Sequence, residues 1–245
     1  MRMTRAKLVL LALLGAALLF AQVLQGRLGG PQPLTFEGIE DLPGWRQIAF
    51  EDITAAGGTA TGAVFAGIGE ESAERLPAGA LCSHLYPTAS PKISAAVFTD
   101  VNCPNCASLD LKLNQRLDRL EINRIELPLL GASSEVYAKA IIAAGLMGEA
   151  SLVQLIKEHQ RGPRLAAGLL VEISNSGHDA NRFKALAEGP DVARVLKRNR
   201  DAANTLGVWG TPALTIGSTL IMGDIEGETL DRLIELETAR NSGGC

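Results

Sequence analysis

Aromatic residues are scarce: Trp, Tyr and Phe together make up 4% of the 245 residues. Stacking platforms for bases or sugars are therefore not expected. No basic block follows the first few residues and the formal net charge is −4, which argues against a nucleic-acid partner. Four cysteines are too few for a disulfide-stapled scaffold, and the chain is long enough to bury a core without staples. Beyond the N-terminus the only methionines are Met147 and Met222, too few for a methionine-rich surface that would hold a soft metal such as Cu(I). No internal repeat is visible.

What is present is a globular composition, 47% hydrophobic and 20% charged, with room for one large domain or two small ones. Arg2, Arg5 and Lys7 precede a run over residues 8–24 that only Gln22 interrupts. Basic residues before an apolar run signal export, the basic end staying in the cytoplasm. The run exceeds the usual core of a cleaved signal, and Leu19 and Leu24 stand where a cleavage site wants small residues. The expectation is an uncleaved N-terminal transmembrane anchor, with a cleaved signal peptide as the alternative. Either case puts the rest of the chain in an oxidising compartment, the periplasm or its equivalent.

Residues 25–92 read as a linker and N-terminal extension. Gly26, Gly29, Gly30, Pro31 and Pro33 leave the membrane as a flexible segment. Short strands fit residues 34–36 and 62–66, and a short helix fits residues 76–85. Residues 93–130 read as strand–helix–strand. The apolar residues 93–99 form the first strand. A helix from Pro104 carries Leu109, Leu113, Leu117 and Leu120 as one stripe. Residues 124–127 alternate as a second strand, ended by Pro128.

Residues 133–206 read as a helical insertion. Ser133 or Ser134 caps its first helix, whose buried stripe is Val136, Ala140, Ile141 and Ala144. Asp179 caps a later helix, Pro190 opens the last one and Gly207 closes it. Residues 213–216 and 219–222 flank Gly217-Ser218 as a hairpin. Leu230, Leu233, Ile234 and Leu236 give a final amphipathic helix, and residues 241–245 are a flexible tail. The fold class is mixed α/β.

The chemistry centres on Cys103-Pro104-Asn105-Cys106, between the first strand and its helix. Two thiols one helical turn apart suit a disulfide that opens and closes. A cysteine at a helix start faces unpaired backbone N–H groups and the positive end of the dipole, which favours its thiolate. Cys103 is thus the expected exposed nucleophile and Cys106 the resolving thiol. Pro104 sits at the first helical position, where its missing donor costs nothing. A zinc site would need a second ligand pair, for which only Cys82, Cys245, His84, His159 and His178 are available. Thr211-Pro212 precedes a short apolar strand. Taken alone it reads as an ordinary trans loop proline, with a cis turn left open.

The order strand, CPNC, helix, strand, helical insertion, LGVWGTPALTIGSTLIMG and final helix resembles the DsbA-like branch of the thioredoxin superfamily over about residues 93–240. The resemblance implies a thioredoxin fold with an inserted helical domain, a cis peptide before Pro212, and thiol–disulfide exchange with exported polypeptides. It implies a catalytic pair Cys103 and Cys106, supported by Pro104, Asn105, Thr211 and Pro212. Thr211-Pro212 would align the substrate backbone. A membrane or soluble redox partner is implied; a bound cofactor or metal is not. Two departures matter. Relatives commonly carry a buried acid where this chain has Val97; Asp100 is then left either to act through water or simply to face solvent or cap the loop. Strong oxidants often have His between the cysteines, where Asn105 is neutral. Both suggest a milder oxidant, or slower turnover. An isomerase or reductase of the same fold, and a Cu(I)-binding protein, are the alternatives. Cys82 and Cys245 are expected as free or variably oxidised thiols, with a mutual disulfide or an interchain link as the alternatives.

Overall fold

The computed structural model describes residues 33–49, 74–161 and 168–240. Contacts divide the chain between Thr35 and Phe36, and every element below belongs to the unit that starts at Phe36. The expected anchor over residues 8–24, the strand at 62–66 and the tail at 241–245 lie outside the described residues.

Among the described residues, six strands and eight helices follow in the order β1 (Phe36–Gly38), β2 (Arg46–Ile48), α1 (Ala78–Leu85), β3 (Ile93–Thr99), α2 (Pro104–Asn114), β4 (Leu120–Glu126), α3 (Ala132–Met147), α4 (Ala150–Arg161), α5 (Leu169–Asn175), α6 (Ala180–Ala187), α7 (Pro190–Leu206), β5 (Ala213–Ile216), β6 (Thr219–Met222) and α8 (Gly227–Ala239). The sheet order is β1-β2-β6-β5-β3-β4. β3 is an inner strand, parallel to β4 and antiparallel to β5. Its residues 95–98 are buried, which is why they read as a short continuous apolar run. β5 and β6 form the expected hairpin with Ile216 opposite Thr219.

β2 gives no periodic signal because it is three residues long. Tertiary contacts hold it. It runs parallel to β6, and Arg46 donates from Nε to Thr219 Oγ1 at 2.9 Å and from Nη2 to Glu237 Oε1 at 2.7 Å.

Several helical expectations shift. The stripe from Pro104 stops at Leu113. α2 ends at Asn114, Leu117 lies exposed and Leu120 starts β4. Arg116 and Arg119 each bind Asp231 of α8 and hold the intervening turn. α8 likewise buries Glu237 where Leu236 was expected, because Arg46, Thr219 and Arg240 pair with its carboxylate.

The insertion α3–α7 has its own core, in which Tyr137, Ile141, Ile156, Ile173, Phe183 and Leu196 meet. A second core lies against the sheet, with Phe98, Leu85, Trp45, Leu206 and Leu220. On α3, Val136 is exposed and Tyr137 takes the buried place. Gly131, not Ser133 or Ser134, is the N-cap. Ser134 is buried and turned toward the β3–α2 loop. Asp179, Pro190 and Gly207 hold the cap positions expected of them.

Candidate active site

β3 ends at Thr99, and the chain turns through Asp100-Val101-Asn102 into α2. Asp100 fixes this turn. Its carbonyl accepts from Cys103 N–H at 3.0 Å. Its Oδ1 accepts from Asn102 N–H at 2.8 Å and from the Ser134 hydroxyl at 2.7 Å. Its Oδ2 accepts from Leu129 N–H at 2.8 Å and Leu130 N–H at 3.0 Å. Gly131, at φ 98°, then lets the chain bend into α3. Asn102 extends the network, donating to Ser134 Oγ and accepting from Gln160 Nε2 of α4. One buried carboxylate thus ties the cysteine loop to the chain after β4 and to the insertion.

Cys103 is the N-cap of α2 and Pro104 its first residue. Cys103 and Cys106 form a disulfide. The Cys106 N–H donates to Cys103 Sγ at 3.1 Å, so a backbone donor is already aimed at the sulfur that would carry charge as a thiolate. Cys103 Sγ lies 3.5 Å from the carbonyl oxygen of Thr211, and the Thr211–Pro212 peptide is cis. Cys103 is only 5% exposed, less open than its place at a helix start suggests. Buried Thr211 lies against the sulfur through its carbonyl oxygen.

Behind the pair is a cavity of about 120 Å³. One wall is the face of β3 and β4 that carries Val97, Thr99, Arg124 and Glu126. A second is α2, through Cys103, Cys106, Ala107 and Asp110. Ile141, Lys157 and Gln160 of the insertion line a third side, and the cavity is partly open to solvent. Val97 contributes only apolar surface, but the sheet supplies an acid from the next strand. Parallel register sets Glu126 beside Thr99. Glu126 is 4% exposed and its Oε2 has no hydrogen-bond partner among the described residues. Burial pushes its carboxyl up to about 7, against the pull of Lys157; Asp100 and Asp110 add to the rise, and Arg124 opposes it. Arg124 is committed elsewhere, to Asp110 Oδ1 at 2.7 Å and Asn114 Oδ1 at 2.7 Å. In the sequence Glu126 is only one member of an alternating strand. The signal that could have found it is the pairing of β4 with β3, which no local pattern carries.

Cys82 is disulfide-bonded, so it is not the free thiol expected from sequence; Cys245 lies outside the described residues. The histidines weighed as metal ligands are spread through the fold. His84 Nε2 lies 2.9 Å from Asn199 Oδ1, His159 Nδ1 2.6 Å from Glu172 Oε2, and His178 Nδ1 2.5 Å from Glu149 Oε2.

A thioredoxin family model matches residues 87–236. No curated protein matches the sequence. Among solved structures, the catalytic domain of Proteus mirabilis ScsC superposes with a TM-score of 0.54 at 22% identity, covering 67% of this chain and 99% of that one. A periplasmic thioredoxin-like protein from Salmonella enterica serovar Typhimurium gives 0.55 at 22%, covering 65% and 96%. The thiol-disulfide exchange protein alpha-DsbA2 from Wolbachia pipientis gives 0.52 at 19%, covering 65% and 96%. At these identities the likeness is one of fold.

Proposed function

The chain belongs to the thioredoxin family, and from that premise we propose that it is a DsbA-like enzyme that exchanges disulfides with exported polypeptides on the extracytoplasmic side of a membrane. The observation that carries the reading is the Cys103–Cys106 disulfide at the N-terminus of α2, with a backbone N–H on Cys103 Sγ. A substrate thiolate attacks Cys103 Sγ, the S–S bond breaks, and Cys106 leaves with its electron pair. A second substrate thiolate then attacks the mixed disulfide and leaves with a substrate disulfide, both enzyme cysteines now reduced. Thr211 and Pro212, set against Cys103, align the substrate backbone. The basic start and apolar run of residues 1–24 support export and anchoring. A membrane or soluble partner resets the pair.

The Cys106→Ala variant tests this. Without the resolving thiol, Cys103 should accumulate mixed disulfides with cysteine-containing polypeptides. These should be released by dithiothreitol and missing when Cys103 is also changed to Ser. A Cys103 that alkylates readily yet traps no polypeptide would sink the reading.

Asn105 brings no positive charge to the pair. Cys103 is therefore expected to be less acidic than a thiol paired with a charged histidine. Ultraviolet titration of the thiolate reads this directly, and Asn105→His should lower the midpoint. An unchanged midpoint would show that the intervening residue does not set the acidity.

A further inference from the structure

We propose that Glu126 holds the proton that Cys106 gives up and takes back during exchange, passing it through water in the cavity the two residues share. The inference rests on the exchange reading above. Three observations carry it. Glu126 and Cys106 line one cavity, from β4 and α2 respectively. Its volume of about 120 Å³ is ample for water, one molecule needing roughly 10–15 Å³ on the same measure. And Glu126 Oε2 is a buried carboxylate oxygen with no hydrogen-bond partner among the described residues. Buried polar atoms are normally paired, so an orphan lining the same cavity as a reacting thiol calls for a role. Asp100 lines the same cavity, but both its oxygens already serve the loop.

Chemistry supplies the need. Cys106 is buried, and burial disfavours a thiolate. When Cys106 resolves a mixed disulfide, its S–H proton must leave. The sulfur then uses its lone pair to bond Cys103 Sγ, and the substrate sulfur departs with the electrons of the broken S–S bond. In the opposite direction Cys106 is expelled as a thiolate and takes a proton back. A carboxyl that burial has raised to about 7 can act as acceptor or donor near neutral pH. The charges facing it are Lys157 from α4, Asp110 from α2, Asp100 from the loop and Arg124 from its own strand; the remaining titrating groups of the cavity are Cys103 and Cys106.

The test is stopped-flow reaction of the reduced full-length protein with a chromogenic aromatic disulfide. Attack by Cys103 releases one aromatic thiolate. Attack by Cys106 on the resulting mixed disulfide releases the second, so the enzyme dithiol is oxidised as the probe is reduced. In Glu126→Gln the first phase should stay within about twofold. The second should slow on the order of 100-fold at neutral pH, the usual scale of general acid–base assistance. Its rate should then climb steadily with pH, whereas in the native protein it should level off above about 7. Glu126→Asp should restore the levelling. A second phase in Glu126→Gln that superimposes on the native one across pH overturns the relay and leaves the exchange reading intact. Should Glu126→Gln fail to fold, a native second phase without a titration near neutrality overturns it equally. No first phase in the native protein overturns both.

Discussion

In the Asp100→Asn variant the folded protein is expected to lose roughly 3–5 kcal/mol of stability. The carboxylate of Asp100 accepts four hydrogen bonds and donates none. An asparagine keeps one acceptor oxygen and turns an NH₂ toward two of those donors. Each buried donor left without a partner costs about 1–3 kcal/mol, and the surviving bonds lose the strength that the charge lent them. Either orientation of the amide does harm. It orphans the N–H groups of Leu129 and Leu130, or those of Asn102 and the Ser134 hydroxyl. Denaturant unfolding of the oxidised protein measures the loss. The same substitution should slow exchange, because the loop that sets Cys103 at the start of α2 is no longer pinned. A loss below about 1 kcal/mol would mean that water replaces the carboxylate and that the turn holds itself.

The second large effect is a pH dependence of stability that Glu126→Gln removes. Glu126 titrates near 7 in the folded protein, chiefly because it is buried, against an ordinary value of 4.5. Between these values the folded state binds a proton that the unfolded chain has released. The resulting stability is fully present below 4.5 and is lost as pH rises through about 7. At about 1.4 kcal/mol per pH unit the full loss is about 3 kcal/mol, most of it between pH 5 and 8. Glutamine has the shape of the protonated acid and cannot ionise. The variant should therefore match the native protein near pH 5 and exceed it near pH 8. With the Cys103–Cys106 disulfide closed, no thiol titration complicates the comparison. Unfolding curves at the two pH values decide the matter; parallel behaviour of the two proteins would place the carboxyl in contact with solvent. Asp231 contributes in a separate window. Hydrogen bonding to Arg116 is the main cause that holds its carboxyl below the usual range, so its contribution is lost only at acid pH.

These two carboxylates mark where local pattern stops being informative. Ile93–Thr99 and the 213–222 hairpin were legible because apolar runs and a two-residue turn are short-range signals. The helix starting at Pro104 was legible at its beginning, where proline and the cysteine cap act on the nearest residues. Its end was not, because the Arg116–Asp231 contact spans 115 positions. β2 failed for the same reason, since its pairing and the reach of Arg46 to Glu237 are remote. On α3, Ser134 had every local mark of a cap, yet the demand of Asp100 for a donor drew it inward.

The cysteine pair, its place at a strand-to-helix turn, the helical insertion and the Thr211-Pro212 loop were determined by the sequence itself. Each is written in contiguous residues whose chemistry works over one or two turns of chain. Tertiary structure alone decided what surrounds the sulfurs. It laid Thr211 over Cys103 and used up the oxygens of Asp100 in the loop. It also brought Glu126, from the neighbouring strand, into the cavity behind Cys106. The physical reason is strand register: a one-residue slip of β4 would turn Glu126 to the other face of the sheet, and that register follows from the packing of the whole sheet.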